Sequence, residues 1–198
     1  MTFGWARDFA LELLNQHSIA GTDIPASYNN QADYVKRIPK LVDDAQLLLA
    51  ANEGRMRELV PLEELPREER GAWSVYTLPG SCLQLCAGLV RLDRPEREAR
   101  YRLLGGDRLM VPRVLERGLW AEYFRLPRPV GREPADDAEL DNTVAAQMAV
   151  PYYVAAHLVM YDNEFAYAAL FNEFEQKRAL LRETPRAEWG RVEDVYEG

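Results

Sequence analysis

Apolar and polar positions give this chain three successive textures: helical, then alternating, then helical again. The most apolar stretch lies between Ala145 and Leu181. From Met148 to Tyr161 its only ionisable side chains are His157 and three tyrosines. That run falls short of the about 20 apolar residues a bilayer span needs, and it suits a helix buried on nearly all sides. Pro151 stands where a first-turn proline is tolerated, because that N–H has no intrahelical acceptor. Asp162 and Asn163 break the run and offer a cap for a second helix. In that helix Tyr167, Leu170, Phe171 and Phe174 recur at i, i+3, i+4, i+7, with Glu173, Glu175, Gln176 and Lys177 off the stripe. The pattern predicts a helical hairpin, one central rod over Met148–Tyr161 crossed by an amphipathic helix.

The same spacing recurs near the start. Phe9, Leu13, Ala10 and Leu14 predict an amphipathic helix over residues 3–16. Residues 17–31 are rich in Gly, Ser, Asn and Pro and read as a loop. Over residues 33–51, Ile38, Leu41, Val42, Ala45, Leu48 and Leu49 mark one helical face, and Lys40, Asp43, Asp44 and Gln46 the other. Pro39 predicts a break, with residues 33–38 as a separate lead-in. The charged stretch 52–72, with Pro61 and Pro66, reads as a connector.

From Trp73 the period changes. WSVYTL, CLQLCAGLVRL, ARYRLLG, RLMVPRVL and LWAEYFRLP alternate or carry β-branched and aromatic residues between turn signals. Pro79-Gly80 predicts a turn, and Gly105-Gly106-Asp107 and Glu116-Arg117-Gly118 predict hairpins. Four or five antiparallel strands are expected over 73–127. Residues 128–143 are a polar lead into the hairpin, and 182–198 a charged tail. The expected fold is α+β. N- and C-terminal helices (about 1–51 and 140–181) form a small bundle, and an antiparallel β-meander (73–127) is inserted in it, all within one domain, 1–198.

Composition narrows the function. The chain carries 24 Lys and Arg against 32 Asp and Glu, a net charge of -8. That argues against broad phosphate binding and gives no sign of specific nucleic-acid recognition. Arg7, Asp8 and Glu12 interrupt the N-terminal apolar pattern, so neither a signal peptide nor a membrane anchor is expected. Cys82 and Cys86 would lie about 13 Å apart on an extended strand, too far for a disulfide without a bend, so free thiols are expected.

The chemistry-bearing residues point to no site. His157, on an apolar helix, reads as a hydrogen-bonded core residue; His17 abuts a loop. Asp136, Asp137, Glu139 and Asp141 lack the repeating ligands and glycine turn of a calcium loop, and read as a solvated lead-in to a helix N-terminus. Gly105-Gly106 belongs to no phosphate-loop motif. The cysteines have no histidine nearby in sequence, and no nucleophile-elbow or zinc-helix motif occurs. Catalytic, cofactor-binding and metal residues are all expected to be none. An enzyme would need a dispersed site built on His157 or the acidic cluster. Tyr152, Tyr153, Tyr161, Tyr167, Phe171 and Phe174 read as core, with a subunit interface as the alternative.

Three phrases, taken in order, resemble a known group: LELLNQHSIAGTDIPASYNNQADYVKRIPKLVDDAQLLLA, GLWAEYFRLPRPV with its acidic sequel, and AVPYYVAAHLVMYDNEFAYAALFNEFEQKRALL. They are similar to virion structural proteins of tailed phages and prophages, of the head–tail connector (adaptor) or tail-completion type. The resemblance covers roughly 1–51 and 119–181. It implies a helical core with a β insertion, copies arranged as a ring at the portal, partners among portal and tail proteins, and no enzyme activity. It also implies residence in the bacterial cytoplasm during assembly and then in the virion. It carries no functional residue over, because the matching positions are packing residues, and the Arg- and Glu-rich stretch 52–72 departs from it. The competing expectation is a prophage-encoded protein-binding module or regulator without a virion role.

Overall fold

A computed structural model describes residues 1–16, 30–52, 54–91, 101–115 and 117–183. The chain is α+β: helices from both ends of the sequence flank a β region made of antiparallel strands. The expectations on His17, most of the 17–31 loop, Glu116 and the 184–198 tail lie outside the described residues.

The helical part is built around α4 (Val150–Val159). Val150, Pro151, Val154, Ala155, Ala156 and Leu158 are buried on it. It packs against α1 (Phe3–Gln16), α2 (Asn30–Ala51) and α5 (Glu164–Glu183). A helix touched on three sides has little room for a polar face, which is why its sequence has almost none. The small side chains of Ala155 and Ala156 let the neighbouring helices approach. The expected rod is shorter than Met148–Tyr161, however. Met148 and Tyr161 are exposed, Tyr161 by 83%, so the buried stretch runs within Ala149–Leu158, where Tyr152, Tyr153 and His157 remain half-buried.

The local signals act as capping chemistry dictates. Pro151 sits in the first turn of α4. Asn163 Oδ1 accepts the Ala166 N–H at 3.0 Å and starts α5. Thr143 caps the short α3 (Val144–Gln147) by accepting from Ala146 N–H. Leu170 and Phe174 of the predicted α5 stripe are fully buried; Tyr167 and Phe171 pack at its margin. Tyr34 of α2 donates to Asp162 at 2.5 Å, tying α2 to the α4–α5 turn. Burial, with that hydrogen bond, pushes the Tyr34 phenol up to about 12.

Two expectations on α2 fail. It is one helix through Pro39, not a lead-in followed by a helix. The missing N–H leaves the carbonyl one turn back, at the exposed Val35, without its intrahelical donor. Gln46, assigned to the polar face, is fully buried.

The β part contains seven strands among the described residues, more than expected, because 52–72 is not a connector. It supplies β1 (Met56–Pro61) and β2 (Arg67–Arg70). All four residues of β2 are exposed, and the strand lies at a sheet edge, where charge guards the unpaired backbone and erases the apolar alternation. The others are β3 (Trp73–Thr77), β4 (Cys82–Arg91), β5 (Arg102–Leu104), β6 (Arg108–Pro112) and β7 (Leu119–Arg125). They form two antiparallel sheets, ordered β1-β7-β4 and β2-β3-β6-β5. Gly105-Gly106-Asp107 joins β5 to β6 as a hairpin, with Gly105 at φ +69°, a conformation glycine adopts at no steric cost. The turn at Gly118 is not a hairpin, since β6 and β7 belong to different sheets.

Leu62, Leu65, Tyr76, Leu78, Leu85, Leu89, Leu109, Val111, Leu119, Ala121 and Tyr123 make a core between these sheets. It shares no residue with the helical core. The chain therefore has two lobes, each with its own interior.

Candidate functional site

The densest polar geometry lies where the lobes join. Arg125, at the end of β7, donates to Asp141 through both terminal nitrogens, at 2.5 and 2.6 Å. Asp141 also accepts the Arg128 N–H at 2.7 Å. Its own N–H donates to Gln46 Oε1 at 2.6 Å. Asn142 Nδ2 donates to the Gln46 carbonyl at 3.2 Å. Asp43, one turn before Gln46 on α2, accepts from Val130 and Gly131 N–H at 2.7 and 3.4 Å. Gln147 Nε2 donates to Leu140 and Asn142 carbonyls, and its Oε1 receives the N-terminal ammonium, all at 2.8 Å. Gly54 lets the chain leave α2 here: a Cβ on it would stand 3.1 Å from the Ala146 methyl and from the Leu49 carbonyl oxygen.

The result is a latch that fixes the strand exit (126–131) and the α3 entry (140–142) on α2. Hydrogen bonds to Arg125 hold the Asp141 carboxyl below the usual carboxylate range, against burial and aided by the Arg128 N–H. Asp43 moves the other way, raised by burial against its two backbone donors. The two carboxylates therefore respond oppositely to acid. Asp141, with a depressed folded value, contributes stability that is present above about pH 4, the ordinary carboxylate range, and is lost below it. Asp43, with a raised folded value, is relieved of strain as it protonates. Asp141→Asn should therefore cost stability at pH 7 and flatten the melting-temperature profile below about pH 4. Asp43→Asn should do neither. Thermal melts across this range check the pair, and equal profiles for the two variants contradict the latch.

The other candidates separate from one another. His157 Nδ1 lies 2.9 Å from the Tyr153 carbonyl; a carbonyl only accepts, so Nδ1 carries the proton. Its ring stacks on Tyr153 at 3.9 Å and meets the edges of Tyr167 and Phe171. This is the hydrogen-bonded, packed histidine expected from the sequence. Phe174 is buried, Tyr152, Tyr153, Tyr167 and Phe171 are half-buried, and only Tyr161 of the aromatic set is exposed.

The acidic cluster is not simply solvated. Asp136 pairs with Arg7 at 2.5 Å and Asp141 forms the latch, while Asp137 and Glu139 are exposed. Among the described residues no group of His, Cys, Asp or Glu is arranged to hold a metal ion. Cys82 and Cys86 are free and half-buried. Burial, reinforced by Glu122, pushes the Cys86 thiol up to about 11, which leaves it protonated and a poor nucleophile at neutral pH.

A further surface draws notice on α5. Phe165, Ala168, Asn172, Gln176, Ala179 and Leu180 are exposed along its outer side, with Phe165 exposed by 83%. Tyr161, equally exposed, sits one turn earlier across the Asp162–Asn163 cap. A solvent-facing helical stripe is usually charged; these six positions carry no charge, and Glu164 and Glu173 are exposed at their margins.

The chain matches no family model and no curated protein. No helix among the described residues is long and apolar enough to cross a membrane.

Proposed function

We propose that this chain is a phage or prophage virion assembly protein, a head–tail connector or adaptor subunit that docks in a ring on the portal. The observation that carries the reading is the set of large apolar groups exposed along the outer side of α5, Phe165 and Leu180 with Tyr161 just ahead of them, bordered by Glu164 and Glu173. Singly exposed apolar residues are ordinary. Three of them along one side of a helix, two aromatic and interleaved with alanines and uncharged amides, suit a surface covered by another protein. The sequence resemblance to connector proteins supplies the class of partner, portal and tail proteins. The reading gives the chain no catalytic role, and the virion is its destination.

The alternative, a prophage-encoded binding module or regulator, uses the same stripe for a soluble partner and forms no ring. Negative-stain images of the protein mixed with the portal separate the two. Rings on the portal are expected, with the Phe165→Glu variant failing to form them. Because Phe165 is solvent-facing, that variant should melt within about 2 °C of the parent. Portal particles left bare by the wild-type protein would sink the connector reading.

A further inference from the structure

Charge is divided unequally between the two lobes. Residues 54–125 hold 13 of the 24 cationic residues, all arginine, and 11 of the 32 acids, a net charge of +2. The rest of the chain therefore carries -10. The division continues at the surface. On the four-stranded sheet, the register sets Arg102 and Leu104 of β5 on the same face as Arg108 and Met110 of β6, Val75 and Trp73 of β3, and Glu68 and Arg70 of β2, which pair with each other at 3.0 Å. The opposite face, with Tyr76, Leu109 and Val111, packs into the β core. The first face is thus the outer one, yet Trp73 and Met110 on it are only partly exposed and Val75 is buried. Leu104 is more than one-third exposed, and Arg102 and Arg108 are exposed. No described acid forms an ion pair with either arginine.

The helical lobe presents the opposite charge at one end. Thr2 bridges to Glu139, and the Phe3 and Gly4 N–H groups donate to the carbonyls of Ala138 and Asp136 at 2.7 and 2.9 Å. These bonds fasten the loop 136–139 against the first turn of α1. A Cβ on Gly4 would come 2.9 Å from the Asp136 carbonyl, so the approach needs glycine there. Asp8, Asp136, Asp137 and Glu139 gather at this end with Arg7 bridging the first two. Asp137 and Glu139 remain exposed.

We propose that the outer face of the β2-β3-β6-β5 sheet is a docking surface for a second copy of this chain, which presents its acidic α1 end to Arg102 and Arg108. The two patches differ and lie on different lobes, so the contact is head-to-tail and repeats from copy to copy. It deepens the ring reading above and rests on it. The accessible apolar part of this face, Trp73, Met110 and Leu104, supplies the water-excluding contact, and the arginines set orientation and partner choice. Exposed ion pairs are weak. The contact is accordingly feeble between free subunits and becomes effective when a template raises their local concentration.

Sedimentation of the full chain up to about 1 mM, at about 20 mM and about 500 mM salt, tests this through the screening it predicts. Self-association is expected at low salt and is lost at high salt. R102E/R108E and D137R/E139R should each weaken it at least about tenfold, the order expected for removing steering charges. Mixing the two variants should restore it, because the reversed sheet of one meets the reversed loop of the other. Unchanged melting temperatures check that both variants are folded. A wild-type chain that stays monomeric throughout overturns the proposal, as does association that ignores both charge reversals or a mixture that fails to recover. If wild-type subunits pass that test as monomers yet form rings on the portal, this contact is wrong and the connector reading stands. If they self-associate as described but leave the portal bare, the reverse holds.

Discussion

Val154→Asp should abolish the folded helical lobe. Val154 is fully buried in the middle of α4, the helix that α1, α2 and α5 all contact. A carboxylate there would be charged, unpaired and away from water, or else protonated at a cost. Either outcome belongs to the class of substitution that destabilises by more than about 4 kcal/mol. A whole domain is stable by only about 5–15 kcal/mol. Val154→Ala, which removes methyl groups and leaves a small void, should cost about 2 kcal/mol and keep the fold. Far-UV circular dichroism during heating distinguishes the two. A Val154→Asp chain that keeps its helical signal and melts within about 2 °C of the parent contradicts the central place given to α4.

The helical lobe was readable because burial writes itself into spacing. α1, α4 and the buried stripe of α5 stand where apolar positions recur with the helical period, and the Pro151 and Asn163 signals set their ends. The β5–β6 hairpin was readable for an equally local reason, two glycines between alternating strands. β1 and β2 were hidden because edge strands are held by backbone pairing to a neighbour. Their side chains are left free to be charged. The extent of α2 was misjudged because Pro39 signals a break, yet its neighbours pack well enough to carry the helix through it.

The latch was the least legible feature. Arg125 and Asp141 are ordinary charged residues 16 positions apart, and nothing in their surroundings marks them as partners. Gln46 did leave a trace. Val42, Ala45, Gln46 and Leu49 follow i, i+3, i+4, i+7, so the spacing itself put the amide on the buried stripe, and only its polarity argued otherwise. Its Oε1 accepts the Asp141 N–H and its backbone carbonyl accepts from Asn142 Nδ2, both from the segment entering α3, while its Nε2 is buried with no hydrogen-bond partner among the described residues. The exposed α5 stripe lies in the opposite class. Its residues are visible in sequence, but helical periodicity alone does not say which face looks outward.

Two cores that share no residue imply that the helical lobe does not need the sheets. The geometry offers a clean way to separate them, since Met56 and Arg125 are antiparallel partners on neighbouring strands. Such partners have Cα atoms about 5 Å apart, so two or three glycines can replace residues 57–124 without moving either end. Arg125 is retained, and with it the Asp141 latch. A thermal melt of this shortened chain, followed by far-UV circular dichroism, is the most direct test of the architecture. The expected result is one cooperative transition with a strongly helical starting spectrum. A chain that begins unfolded, or loses its signal gradually without a transition, would contradict the account.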